Sequence, residues 1–323
     1  MAQKVPLPEH AIPATILTGF LGAGKTTFLN YLLQEQKGLK IAVIINEIGA
    51  VNIDNQLTEF SEDSVVEMSN GCICCTVRTD LLQAILKLLK NSKFDYLVIE
   101  ATGLADPGPI AQTFFNIPEL QPYVKLDSVI TLVDAMNFKD QCRISPTTEA
   151  QVEMADFILL NKVDCVDRAD IDSLKERLKE LNSHATIHET VKGRVPLDLI
   201  WDKNAFFLDT KLLTRPDLLD ETVHRHDHEI KSITLTYDQI FKLDVFEAFL
   251  RELSARYHIL RSKGILHFDG YDRRSVFHGV NDRYSMYWDR PWKKDEVRQS
   301  VLVFIGKDLP EEDIKTNLNR CLK

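Results

Sequence analysis

Gly19-Phe20-Leu21-Gly22-Ala23-Gly24-Lys25-Thr26 matches the pattern G-x-x-x-x-G-K-[ST]. A short apolar and β-branched run, residues 14–18, precedes it, and apolar residues at helical spacing follow over residues 27–33. A strand, a glycine-rich loop and a helix are the context that this pattern requires when it binds phosphate groups. The sequence therefore predicts a phosphate-binding loop that opens an α/β fold.

The residue types in this loop fit the polyphosphate of a nucleotide. Glycines allow the backbone amides and the helix N-terminus to approach phosphates closely. Lys25 supplies a positive charge and Thr26 a hydroxyl for Mg²⁺. A glycine turn whose lysine points into water is the alternative, and both flanks argue against it. The expected nucleotide contacts here are Gly19, Gly22, Ala23, Gly24, Lys25, Thr26 and Thr27.

Composition predicts a soluble, globular chain of two domains, since its 323 residues are 44% hydrophobic and 27% charged. The net charge of −9 and the absence of a dense Lys/Arg block argue against a nucleic-acid or membrane partner. Residues 1–13 lack the apolar core of a signal peptide, and no apolar run approaches the ~20 residues of a membrane span. We therefore expect a cytoplasmic protein.

Buried strand patterns alternate with helical patterns after the loop and predict a doubly wound, mostly parallel sheet of the P-loop NTPase class. Between residues 209 and 230 the composition shifts, and a smaller α+β domain with a partly antiparallel sheet is expected beyond. The expected organisation is an N-terminal extension (1–12), a P-loop GTPase domain (13–210), a linker (211–230) and a C-terminal domain (231–323).

Two polar loops leave the carboxyl ends of predicted strands, where ligands of such sheets gather. The first begins at Asn46-Glu47-Ile48-Gly49 and continues to Asp54. The second is Glu100-Ala101-Thr102-Gly103. Glu100 and Asp54 are candidates for organising Mg²⁺ or the attacking water, and the amide of Gly103 for contacting the γ-phosphate. Lys25, Thr26 and Glu100 are the expected catalytic set.

Asn161-Lys162-Val163-Asp164 follows another apolar run and matches N-K-x-D. The Asp164 carboxylate can accept hydrogen bonds from N1–H and the exocyclic amine of guanine, a pair that adenine does not offer. Asn161 can meet the N7/O6 edge of the base, and the stem of Lys162 can pack over the ring. Placed well over a hundred residues after a phosphate loop, the motif predicts GTP rather than ATP.

Cys72, Cys74 and Cys75 lie within four positions, between the two polar loops. Adjacent cysteines form only a strained disulfide, so three local thiolates favour a soft or borderline metal. Zn²⁺ comes first, with Cu(I), Co²⁺ or Ni²⁺ as alternatives. Because only three strong ligands are local, a fourth position is open, which favours metal transfer over permanent structure. Buried inert thiols and a redox switch are the competing interpretations.

A second candidate for metal binding is the tract His224, His226 and His228. Alternate imidazoles lie on one side of an extended segment, and mixtures of His and Asp bind Zn²⁺ readily near neutral pH. The competing interpretation is a solvated polar linker.

The combination of these motifs resembles one family, the CobW-like P-loop GTPases. The matching pieces are Thr18–Thr27, Asn46–Gly49, Asn70–Cys75, Glu100–Gly103 and Asn161–Asp164. Three C-terminal pieces are similar to the YjiA branch: Lys263–Gly264, Trp288–Trp292 and Val303–Gly306. The resemblance implies a GTP-hydrolysing metallochaperone, most often for zinc, whose C-terminal domain meets a client metalloprotein. A dimer that depends on nucleotide or metal is a further expectation.

One departure affects the expected metal site. Members of this branch often carry acids beside the Asn-Glu-x-Gly motif, where this chain has Ile45 and Ala50. Glu47 and the three cysteines are then the nearest candidate ligands. Two other functions remain open: a redox-sensing GTPase that uses the same thiols, and an interaction module that binds nucleotide without turnover.

Overall fold

The computed structural model describes residues 8, 10–36, 38–47, 65–69, 76–219, 230–257, 259–280, 283–293 and 296–323. These residues form two compact units, one that ends at residue 219 and one that begins at residue 230. No helix in these ranges is both long enough and apolar enough to cross a membrane.

The first unit is built on a parallel sheet with the strand order β3-β2-β4-β1-β5-β6-β7. The central strand, β1, lies between β4 and β5, and the order of strands along the chain reverses around it. The strands are β1 (Ile12–Gly19), β2 (Ile41–Glu47), β3 (Val65–Ser69), β4 (Tyr96–Glu100), β5 (Val124–Asp134), β6 (Phe157–Asn161) and β7 (Thr186–Thr190).

Helices cover both faces of this sheet, which explains why its strands are apolar at consecutive positions. In β1, Ile16 packs into the core on one face and Leu17 into the core on the other. The same alternation occurs in β4 at Leu97 and Val98. The helices are α1 (Lys25–Glu35), α2 (Thr76–Asn91), α3 (Gly108–Asn116), α4 (Phe138–Ile144), α5 (Thr147–Glu153), α6 (Arg168–Leu181) and α7 (Leu208–Thr214).

The expected fold class is confirmed, and the sheet contains one strand that the sequence patterns did not indicate. This strand, β3, is five residues long and pairs in parallel with β2 at the edge of the sheet. A short strand with Glu67 and Ser69 among its five residues lacks the continuous apolar run that marks the central strands.

The first unit continues past residue 210, where its end was expected. Helix α7 and the short 3₁₀ turn Pro216–Leu219 carry buried side chains that belong to it. Leu218 joins the core that packs beneath α2 and α3. The Nζ of Lys211 lies 2.5 Å from Oδ1 of Asp156 and donates a hydrogen bond to the carbonyl of Ala155 at 2.7 Å. Burial raises the pKa of Asp156 to about 6, and the Lys211 ammonium acts in the opposite direction.

The second unit is an antiparallel sheet with the order β11-β10-β9-β12-β8, together with two helices. Its core is rich in phenylalanine, and Phe246 of α8 contacts the rings of Phe241, Phe268 and Phe277. The elements are β8 (Ile230–Tyr237), α8 (Leu243–Arg256), β9 (Ile259–Leu266), β10 (Arg273–Val280), β11 (Arg283–Pro291), β12 (Ser300–Lys307) and α9 (Glu311–Asn319).

The edge strand β11 is absent from the strand patterns of the sequence. It carries Tyr284, Tyr287 and Trp288, which are exposed, and it ends at Pro291. An edge strand tolerates proline and exposed aromatic residues, so it lacks the alternation that predicts a half-buried strand.

Candidate functional site

The carboxyl edge of the parallel sheet brings the predicted motifs together. The glycine-rich loop follows β1, and the strands on either side of β1 are β4, which ends at Glu100, and β5, which ends at Asp134. Strand β6, which ends at Asn161, is the next strand beyond β5. Motifs that lie up to about 140 residues apart along the chain therefore meet at one topological switch point, where ligands of such sheets bind.

Gly24 stands where the loop becomes α1, and its backbone has a φ of 109°. An added Cβ would lie 2.5 Å from the Nδ2 atom of Asn161. The position therefore requires glycine for two reasons, the left-handed backbone and the close approach of the base-binding motif. The loop and the motif N-K-x-D are fitted to each other here.

Lys25 is buried, and its ammonium group turns back into the loop. Its Nζ donates hydrogen bonds to the carbonyl oxygens of Gly19, at 2.7 Å, and Phe20, at 3.2 Å. These bonds fix the positive charge within the concavity formed by the loop backbone. A fixed charge surrounded by backbone groups is suited to stabilising phosphate oxygens.

Thr26 and Glu100 face each other across the loop. The Oγ1 of Thr26 donates a hydrogen bond to Oε1 of Glu100 at 3.3 Å, and Glu100 is buried. The strand register explains the pairing, because Leu17 of β1 lies beside Glu100 of β4. A hydroxyl and a carboxylate are hard oxygen donors of the kind that Mg²⁺ prefers, so this pair fits that ion.

Gly103, in the loop that follows Glu100, packs directly against the phosphate-binding loop. An added Cβ would lie 2.8 Å from the backbone nitrogen of Leu21 and 2.7 Å from its Cδ2. Only glycine allows this approach, which brings the second polar loop and the phosphate-binding loop into contact.

Further along the same loop, Asp106 forms a buried ion pair with Arg215, the residue that follows α7. Nη2 of Arg215 lies 2.9 Å from Oδ2 of Asp106, and Nη1 donates to Oδ1 at 3.2 Å. Oδ1 also accepts a hydrogen bond from the amide of Gly108 at 2.8 Å. The loop from Glu100 to Asp106 is thus anchored to the last segment of the first unit.

Asn161 links three segments of the site. Its Nδ2 donates to the carbonyl of Ala23 at 2.9 Å, and its Oδ1 accepts from the amide of Gly193 at 2.9 Å and the hydroxyl of Thr190 at 3.2 Å. These bonds occupy the amide oxygen and leave one N–H of the amide for a base. The structure thus gives Asn161 a tethering role, besides the base contact expected from the sequence.

Asp134, at the end of β5, is a site residue that the sequence reasoning missed. It is fully buried, and its Oδ2 accepts hydrogen bonds from Nζ of Lys162 at 2.7 Å and Nδ2 of Asn137 at 2.8 Å. The backbone of Lys162 is left-handed, with a φ of 65°, and its ammonium group is held by the Asp134 carboxylate. An acidic residue directly after the apolar pair Leu132-Val133 at the end of the strand was the available signal.

Asp164 lies in a 3₁₀ turn after Lys162 and lines an open cleft of about 620 Å³. Met136 and Lys139 line the same cleft, as do Asp167 and Asp170. The carboxylate of Asp164 is therefore accessible from solvent next to the fixed Lys162.

Some predicted site residues have no described side chain. Glu47 ends β2, and only its backbone is described. The expected Mg²⁺ or water ligand Asp54 and the expected metal ligands Cys72, Cys74, Cys75, His224, His226 and His228 lie outside the described residues. Within the described ranges, no group of three or more His, Cys, Asp or Glu side chains could hold a metal ion. Of the remaining nucleotide-binding candidates, Thr27 is exposed and Gly22 has a φ of 77°.

Comparison with known families gives two matches that follow one another along the chain. Residues 13–189 match the CobW/HypB/UreG nucleotide-binding domain, and residues 230–322 match the cobalamin synthesis protein cobW C-terminal domain.

Individual relatives match over most of the chain. The zinc chaperone YjiA of Escherichia coli is 42% identical, over 95% of this chain and 97% of its own length. The zinc chaperone CobW of Pseudomonas aeruginosa is 32% identical, over 99% and 94%. Zinc-regulated GTPase metalloprotein activator 1 of Dictyostelium discoideum is 36% identical, over 78% of this chain and 62% of the relative. Among solved structures, the Zn(II)-bound YjiA GTPase from E. coli matches with a TM-score of 0.48 and 37% identity, covering 97% of this chain and 99% of that one.

Proposed function

The chain belongs to the CobW/HypB/UreG family and is a P-loop GTPase, and from this premise we propose that it is a metallochaperone. It binds a transition metal, zinc first, at the motif Cys72-Ile73-Cys74-Cys75 and couples GTP hydrolysis to delivery of the metal to a client protein. The names of its relatives, zinc chaperone and zinc-regulated GTPase metalloprotein activator, support this proposal.

The proposal of GTP binding rests on one observation, the hydrogen bond from Nδ2 of Asn161 to the carbonyl of Ala23 in the phosphate-binding loop, at 2.9 Å. It joins the base-recognition motif to the phosphate loop, so one nucleotide can occupy both. We infer that Lys25 stabilises charge on the phosphates, and that Asp164 reads guanine. Thr26 and Glu100 would hold Mg²⁺, which supplies further positive charge to the phosphate oxygens. Asp54 stays a candidate for organising the same ion or the attacking water.

Hydrolysis by these residues alone is expected to be slow. Among the predicted catalytic residues Lys25, Thr26 and Glu100, none is an arginine that could act as a finger, and Glu100 already accepts a hydrogen bond from Thr26. GTPases without an activator or an added arginine turn over slowly. Slow basal hydrolysis suits a metal carrier, because the metal then stays bound until a client protein accelerates hydrolysis.

Asp164→Asn is expected to weaken GTP binding about 10- to 100-fold, because the carboxylate that accepts from N1–H and the exocyclic amine of guanine is lost. Xanthosine triphosphate should bind the variant better than GTP, since the new amide can donate to the carbonyl at C2 of xanthine. Equilibrium binding of labelled GTP and competition by the xanthine nucleotide measure both effects. Asp167→Asn, a change of the same kind at the same cleft, is the matched control and should leave both affinities unchanged. Equal effects of the two variants would contradict guanine recognition by Asp164.

For the metal half, we propose that the three thiolates of Cys72, Cys74 and Cys75 bind Zn²⁺, with Glu47 or a client ligand completing the site. Co²⁺ and Ni²⁺ are the alternative metals. The cysteines lie in sequence between the two polar loops that flank the nucleotide, so a change of nucleotide can alter the metal site. His224, His226 and His228 form a second candidate for capture of the metal.

Cys74→Ser is expected to lower zinc affinity roughly tenfold or more and to abolish the effect of zinc on GTP hydrolysis, because the thiolate is the ligand. Zinc stoichiometry after purification under reducing conditions, and hydrolysis with and without zinc, are the measurements. Cys142→Ser is the control, since Cys142 lies outside the motif and burial raises the pKa of its thiol to about 12.

The redox alternative gives a different result in the same assay. If hydrolysis depends on reductant while a chelator is present, the thiols sense oxidation and the metallochaperone proposal fails. Unchanged zinc binding in Cys74→Ser would also contradict it.

We further propose that the two units of the structure correspond to a GTPase domain and a CobW-like C-terminal domain. The C-terminal domain meets the client. A dimer that depends on nucleotide or metal is part of the same proposal, and sedimentation with GDP, a GTP analogue and zinc tests it.

A further inference from the structure

Gln151, on α5, is buried with 1% of its surface exposed, and its side chain reaches the loop that follows Glu100. Its Nε2 donates hydrogen bonds to two carbonyl oxygens of that loop, those of Gly103 at 3.2 Å and Ala105 at 3.1 Å. One side-chain amide therefore holds two peptide groups of the loop, the one between Gly103 and Leu104 and the one between Ala105 and Asp106.

The backbone of Gln151 is itself attached to the sheet beneath the nucleotide site. Its backbone carbonyl accepts a hydrogen bond from Oγ1 of Thr131, at 2.8 Å. Thr131 of β5 lies beside Thr18 of β1, the residue that precedes the phosphate-binding loop. The path from the sheet through Gln151 to Gly103 is thus short and buried throughout.

The orientation of the amide follows from its partners. Two carbonyl oxygens require the NH₂ group, so the oxygen must point the other way. That oxygen, Oε1, has no hydrogen-bond partner among the described residues. A buried acceptor without a partner is costly, and an apolar side chain of the same length would avoid the cost. Packing alone does not account for glutamine here, whereas a need for two donors does.

The held peptide group lies where the chemistry takes place. Gly103 is so close to Leu21 of the phosphate-binding loop that no larger residue fits. A shift of its carbonyl rotates its peptide plane and moves the loop relative to the phosphates. We propose that Gln151 is a positioning residue for GTP hydrolysis, which holds the Gly103 segment against the phosphate-binding loop in the place where it meets the γ-phosphate. This role rests on the GTPase activity and is independent of the metal.

The γ-phosphate is present in GTP and absent from GDP, so the two ligands separate this role from general binding. Gln151→Met keeps the length of the side chain and removes both donors. We expect its kcat for GTP hydrolysis to fall about tenfold, while the dissociation constant for GDP changes by less than about twofold. Single-turnover hydrolysis and fluorescent GDP titration measure the two quantities.

Gln141→Met is the matched control. Gln141 lies on the neighbouring helix α4, is buried to a similar degree, and its Nε2 has no partner among the described residues. The substitution is the same, but no side-chain bond to the loop is lost, so kcat should stay within about twofold of wild type. The thermal midpoints of both variants show whether each one is folded.

Gln151→Glu gives a readout that a merely structural role would not change. A buried carboxyl has a raised pKa, and its protonated form can donate to one of the two carbonyls whereas its ionised form cannot donate at all. The kcat of this variant should therefore rise relative to that of the wild type as pH is lowered from 8 to 6.

The possible results distinguish the inference from the assignment of activity. If the wild type hydrolyses GTP and Gln151→Met loses no more activity than Gln141→Met, the positioning role is wrong and the GTPase assignment stands. The role is also wrong if GDP affinity falls as far as kcat, or if the activity of Gln151→Glu relative to wild type is independent of pH. If the wild type hydrolyses no GTP, the assignment of activity itself fails.

Discussion

Lys25→Ala is expected to lower kcat for GTP hydrolysis by roughly 10²- to 10³-fold, the largest effect of any single change at the nucleotide site. Its ammonium is the cation that the structure holds inside the phosphate-binding loop, through the carbonyls of Gly19 and Phe20. Removal of one preorganised donor to developing negative charge typically costs this much. GTP affinity should fall as well, because the charge acts on bound phosphates before the transition state as well as in it.

The control for this experiment is Lys40→Ala, which removes an exposed lysine just before β2. Its kcat should equal that of the wild type. Lys25→Ala also removes a hydrogen bond to each of two loop carbonyls, of which that of Phe20 keeps the amide of Ala23 as a donor, so thermal unfolding must accompany the kinetics. Hydrolysis by folded Lys25→Ala within about threefold of the wild-type rate would contradict the role of Lys25.

The parts of the site that could be predicted from the sequence are those encoded by contiguous residues. The phosphate-binding loop, the acidic strand end at Glu100 and the motif that begins at Asn161 each carry their chemistry within a few positions. Their meeting could also be predicted, because carboxyl ends of parallel strands share one edge of the sheet. In the structure, Leu17 of β1 pairs with Glu100 of β4, and this register brings Glu100 within hydrogen-bond distance of Thr26.

The contacts that hold these motifs in place could not be predicted in the same way. Gln151 reaches a carbonyl 46 positions earlier in the chain, and Arg215 reaches a carboxylate 109 positions earlier. In sequence each is an ordinary polar residue on a short helix or beside one. The sequence motif predicted that Asn161 contacts the base, but it could not predict that the side-chain oxygen of Asn161 accepts hydrogen bonds from Gly193 and Thr190.

The boundary of the first unit illustrates a related point. Composition indicated a linker from residue 211, since the region contains a proline and many acids. Lys211 and Arg215 are nevertheless buried, because each meets a carboxylate supplied by a distant segment. Charged residues are usually exposed, so composition alone predicts a surface segment. Here each charged side chain pairs with a carboxylate that the sequence does not identify, and the pairing allows it to be buried.

Arg215→Met is expected to lower the free energy of unfolding of the first unit by about 3–5 kcal/mol, because it leaves Asp106 as a buried carboxylate without its cation. Both side chains of the pair are 3% exposed, so water cannot replace the lost partner. Urea unfolding monitored by circular dichroism measures the change. Arg168→Met is the matched control, since Arg168 forms ion pairs with Asp172 and Glu189 while its side chain is 63% exposed. Exposed pairs of this kind contribute about 0–1 kcal/mol.

A double variant separates the cost of an unpaired charge from the value of the pair. Asp106→Asn removes the charge that Arg215→Met leaves behind, so the double variant should be more stable than Arg215→Met alone. Destabilisation of the double variant by the sum of the two single effects would mean that the side chains act independently, contrary to their bidentate contact. Because Asp106 ends the loop that begins at Glu100, the same variants should slow GTP hydrolysis in proportion to how far that loop is released. Arg168→Met, which touches no part of the loop, should leave hydrolysis unchanged.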